Sequence, residues 1–179
     1  MPKNLAAKKV KVSDKYTRDE KIAIADEIVE YIRDRSAKGR GPGNKKWSGD
    51  AGKYSDGYIN SLDFKIGEKS KGKVNQRLSG EMLTEMDVLK IDSSGITYGF
   101  GFGSEEHGKA KGNILGTYGK SKANPKKARD FLELTHAELK TILSEFPLRG
   151  EGSEEKREKS TRSRLDAIAS LKGLFDGEE

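Results

Sequence analysis

Residues that carry most enzyme and metal chemistry are sparse in this chain. It has two histidines, His107 and His136, far apart in sequence, and neither has a partner at a ligand spacing such as His-x-x-x-His. It has no cysteine, which excludes disulfides, thiolate nucleophiles and cysteine-built zinc sites. Gly99-Phe100-Gly101-Phe102-Gly103 has the look of a phosphate loop but lacks GxGxxG, and no helix with dinucleotide spacing is expected after it. These glycines read instead as the end of a strand or a bulge. Among the carboxylates, Asp87 sits in the most apolar setting, between Met86 and Val88. That position suits the end of a helix or strand better than a proton-transfer site. No serine stands in a GxSxG elbow. The expectation is a protein that is not an enzyme and has no metal or cofactor.

Binding chemistry is better represented. Lys3, Lys8, Lys9, Lys11 and Lys15 face Asp14 alone in residues 1–16, and further lysines fall in 65–73 and 109–127. They could neutralise phosphates, with Trp47, Tyr54 and Tyr58 as stacking surfaces. Acids are interleaved throughout, however, and the net charge is only +6. A nucleic-acid-binding module is therefore the alternative reading, not the first.

The elements that would position these groups must be built with little apolar material. Hydrophobic residues make up 32% of 179 and charged residues 36%, with a mean hydropathy of −0.83. Such a chain buries one modest core, so some of it is expected to be ordered only by neighbours. No stretch approaches the roughly 18 apolar residues of a membrane span, and Met1–Leu5 lacks a signal-peptide core.

Thr17-Arg18-Asp19-Glu20 is a capping box, and Ile22, Ala25, Ile28, Val29 and Ile32 follow at helical spacing. This predicts a helix from about Arg18 to Ser36. A glycine-rich loop and a short helical turn near Ser55–Ser61 come next, then a short strand at Leu62–Ile66. Ser79–Met86 reads as a brief helix. Val88–Ile91, the turn Asp92–Gly95 and Ile96–Phe100 form a β-hairpin. Residues 103–124 read as a long loop. Thr135 caps a helix through Leu139, Ile142, Leu143 and Phe146, stopped by Pro147. After a charged run, Leu165, Ile168, Leu171 and Phe175 line one face of a last amphipathic helix. These signals divide the chain into a basic arm (1–16), an α+β domain (17–147), and a polar linker with a helical arm (148–179). The basic arm reads as a flexible terminus or as an arm lying on a neighbour, and the last helix is expected to dock either on its own domain or in a groove of a neighbour.

Three blocks carry a family resemblance. The first is Tyr31-Ile32-Arg33-Asp34-Arg35, with Tyr54-Ser55-Asp56-Gly57-Tyr58 beyond the glycine-rich loop. The second is Lys73-Val74-Asn75-Gln76-Arg77-Leu78-Ser79-Gly80-Glu81-Met82-Leu83. The third is Arg129-Asp130-Phe131-Leu132-Glu133-Leu134-Thr135. Over roughly residues 17–147 this order resembles the virion morphogenesis, or tail-completion, proteins of tailed bacteriophages. Here Pro125 stands further from Arg129 than in the family pattern, and Glu133 replaces a glycine. The resemblance implies a long N-terminal helix, a small antiparallel sheet and a helix closing the core. It also implies a homo-oligomeric ring, often sixfold, at the head–tail neck of the virion. Its partners would be neighbouring neck or tail proteins, with DNA passing through the lumen. On this reading Phe131, Leu132 and Leu134 anchor the last core helix, and Leu165, Ile168, Leu171 and Phe175 contact the adjoining subunit.

Overall fold

The computed structural model describes residues 4–66, 74, 81–117 and 122–148, which form a mixed helix-and-sheet fold. Its longest element is α1, Arg18–Ala37. The capping box forms as read: the Thr17 hydroxyl accepts from the Glu20 N–H, and Glu20 accepts from the Thr17 N–H. Ile24, Ala25, Ile28, Val29 and Ile32 make its buried face. Ile22, expected on that face, is instead 41% exposed, and Ile24 takes its place.

The hairpin is β4 (Asp87–Asp92) and β5 (Gly95–Gly99), paired from Asp87↔Gly99 to Asp92↔Gly95. A bulge between Val88 and Lys90 leaves Leu89 without a cross-strand partner, 38% exposed. Asp92 closes the turn by accepting from the Ser94 N–H. The third strand is β1, Ala7–Val10, antiparallel to β5 with Ala7 opposite Gly99 and Val10 opposite Ile96. The sheet order β1-β5-β4 corrects the expectation of a detached basic arm: residues 7–10 pair with their own domain. Lysines at 8 and 9 suit an edge strand, where their charge discourages further pairing. This docking depends on glycine. A Cβ at Gly95, where φ is +141°, would lie 1.9 Å from the Val10 carbonyl oxygen.

Two short strands, β2 (Arg40–Gly41) and β3 (Lys45–Lys46), pair within the glycine-rich loop. The short helix α2 is Asp56–Ile59, capped by Ser55. Leu62–Ile66 is not the expected strand but a helix, α3, in which the Ser61 hydroxyl accepts from the Phe64 N–H. The alternating apolar pattern misled because Leu62 and Ile66 point outward at 69% and 70% exposure. α4 is Glu81–Thr84. Another correction falls on residues 103–124. They are not all loop, because Ser104 caps α5, Glu105–Leu115, which ends at left-handed Gly116. Finally, α6 is His136–Ser144, with the Thr135–Glu138 capping box formed. The core joins α1, β5, α4 and the segment before α6 through Ile28, Ile32, Met86, Tyr98, Phe100 and Phe131. No helix among the described residues is long and apolar enough to cross a membrane.

Candidate functional site

The groups considered for chemistry are spread over the fold. The His107 Nε2 lies 3.0 Å from Asn4 Oδ1, with its ring 5.2 Å from that of Phe102. His136 opens α6 and is exposed. Among the described residues no group of three ligand-type side chains could hold a metal. Asp87 is the exposed first residue of β4. A helix does follow the Gly99–Gly103 run, contrary to expectation, but Glu105 and Glu106 occupy its first turn. Two carboxylates there occupy the positive end of the helix dipole and repel a phosphate.

Much of the basic and aromatic material is already used inside the molecule. Lys8 pairs with Asp130, Lys9 with Asp92, and Lys109 with Glu105 and Glu106. Trp47 covers Gly41, where an added Cβ would sit 2.6 Å from the indole ring. Tyr54, Tyr58 and Phe64 pack on one another with centroids 5.3–5.7 Å apart. These rings form an internal cluster, not a row of stacking platforms.

What the structure does assemble is a polar clamp. Arg35 lies on α1 three residues beyond Ile32, at the end of the apolar stripe, and its side chain is 2% exposed. Its Nη2 donates to the carbonyls of Phe131 (2.6 Å) and Glu133 (2.9 Å), and Nη1 donates to Glu138 Oε1 at 2.8 Å. The Tyr31 hydroxyl donates to the same oxygen at 3.0 Å. Two residues earlier, on the other side of α1, Arg33 donates from Nε to the Leu83 carbonyl (2.9 Å) and from Nη2 to those of Thr84 (2.7 Å) and Met86 (2.6 Å). Arg129 reaches the carbonyls of Ala51 (2.6 Å) and Lys53 (3.0 Å). These guanidiniums therefore satisfy backbone oxygens of loops that lack ladder partners.

Phe131 and Leu132, expected as anchors, are fully buried, and Leu134 packs at the core's margin. Phe131 meets Phe100 edge-on at 6.2 Å, and the Tyr98 hydroxyl donates to the Leu132 carbonyl at 3.0 Å. Sequence reasoning missed Arg33, Arg35, Arg129 and the second role of Glu138. The available signal was the spacing Ile28, Ile32, Arg35, which places a cation on a buried face. Leu165, Ile168, Leu171 and Phe175 lie outside the described residues.

Burial raises the Glu138 pKa, but the Thr135 N–H, the Arg35 guanidinium, the Gly43 N–H and the Thr135 hydroxyl outweigh it. The net result is a pKa lowered from 4.5 to about 2. A depressed folded-state pKa contributes stability above the unfolded value and loses it as pH falls. The denaturant midpoint is therefore expected to fall as pH drops from about 4.5 towards 2. Glu138→Gln should flatten that part of the profile. An unchanged slope in the variant would contradict the assignment.

No protein-family model, curated protein or solved structure matches this chain.

Proposed function

We propose that this chain is a structural subunit of a tailed-phage virion, assembling as a ring at the head–tail neck in a tail-completion, terminator or connector role. One observation carries the reading. Described residues of the three sequence blocks behind the resemblance meet in space: Arg33 of the first binds Leu83, the end of the second, and Arg35 of the first binds Phe131 and Glu133 of the third. A set of motifs defining one folding unit would behave this way. Exposed Leu62, Ile66 and Phe102, at 66–70%, add apolar surface for neighbouring copies or adjoining neck proteins to cover. On this reading Leu165, Ile168, Leu171 and Phe175 supply a further contact between copies, and DNA passes through the lumen without sequence-specific recognition.

Native mass spectrometry of the full chain tests this directly. The expected result is one closed stoichiometry. A monomer at every concentration, together with DNA affinity that falls steeply with salt, would favour the nucleic-acid module instead.

A further inference from the structure

A groove of about 460 Å³ lies between the start of α1 and β4, an edge strand of the three-stranded sheet. Ile22 and Leu89 line it, two large apolar side chains left 41% and 38% exposed. Arg18, Lys21 and Lys90 also line it, against the single carboxylate of Asp92. That carboxylate is already shared by Lys9 and Lys90. The lining thus combines exposed apolar side chains with three cations against one carboxylate.

Its occupant is indicated by where the chain goes. Tyr16 forms part of the groove wall, and its hydroxyl donates to the Phe146 carbonyl at 2.8 Å. The chain therefore leaves α6 beside the groove. Beyond the last described residue, Leu148, a charged stretch precedes Leu165, Ile168, Leu171 and Phe175 at helical spacing. Residues 165–179 carry Asp166, Asp176, Glu178 and Glu179 against Lys172 alone. Their apolar stripe and negative charge complement the groove. Sixteen residues, 149–164, separate the groove's root from the segment, and a chain of that length reaches about 20 Å even without being extended.

We propose that residues 165–179 dock in cis on the groove between α1 and β4. Their apolar face covers Ile22 and Leu89, and their carboxylates approach Arg18 and Lys90. Docked there, the segment shields the β4 edge from pairing with another sheet. Its release to a neighbouring copy would then accompany ring formation, a consequence that rests on the ring reading.

The absence of cysteine gives a clean test in the full chain. Leu89→Cys combined with Leu171→Cys is compared with Leu89→Cys combined with Ser170→Cys, whose second thiol lies on the opposite side of the predicted helix. On mild oxidation of dilute protein, the first pair is expected to form an intramolecular disulfide about tenfold faster than the second. Ile22→Cys with Phe175→Cys should behave like the first pair and guards against a local effect at position 89. Equal rates would overturn the docking. A disulfide formed only between chains would overturn the cis assignment and give the segment to the neighbour. The native mass of the unmodified chain reports separately on the ring, so the two readings fail independently.

Discussion

Arg35→Ala is expected to destabilise the fold by about 3–5 kcal/mol, because removing one partner of a buried ion pair leaves the other charged and unpaired. Here the loss is wider than one pair. Glu138, 6% exposed, loses its guanidinium, and the carbonyls of Phe131 and Glu133 lose their donor. The denaturant midpoint measures the effect, and a change below about 1 kcal/mol would show that these contacts are dispensable. Arg35→Met with Glu138→Leu should cost less than the single variant, since no buried charge remains. Such a result would locate the penalty in the orphaned carboxylate.

Phe131→Ala should have a comparable effect, about 3–5 kcal/mol for a fully buried aromatic side chain. Phe131 is 0% exposed and faces Phe100, so truncation opens a cavity between β5 and the segment leading into α6. Leu134→Ala, at the core's margin, should cost only about 1 kcal/mol. Equal costs at the two positions would contradict the assignment of Phe131 as the principal anchor.

The signals that could be read from sequence were local ones. Both capping boxes, at Thr17 and Thr135, involve residues three apart and formed as read. The hairpin at 92–95 is also set by its own turn residues. Where distant partners decide, sequence reading failed. Residues 7–10 look like a loose lysine arm until Gly95 and Gly99 allow the close approach of β1 to β5. The helix α5 contains Gly108 and Gly112, poor helix formers, yet it buries Ala110 and is closed by Gly116 against Asn124. Helix α3 was misread because Leu62 and Ile66 face outward while Phe64 between them is buried. The clamp was hidden for another reason. Arg33 and Arg35 look like ordinary C-terminal helix cations, and only the fold brings carbonyl oxygens from residues 83–86 and 131–133 within their reach.

Arg33 and Arg35 bind distant segments into one cooperative unit. Native-state hydrogen exchange of the full chain measures that most directly. Amides in the second half of α1, in β5 and at Phe131, whose N–H bonds to the Arg129 carbonyl, should open together with one free energy. Arg35→Ala should lower all of them by a similar amount. Exchange at Phe131 through an independent opening, several kcal/mol easier than that of α1 and β5, would contradict the account.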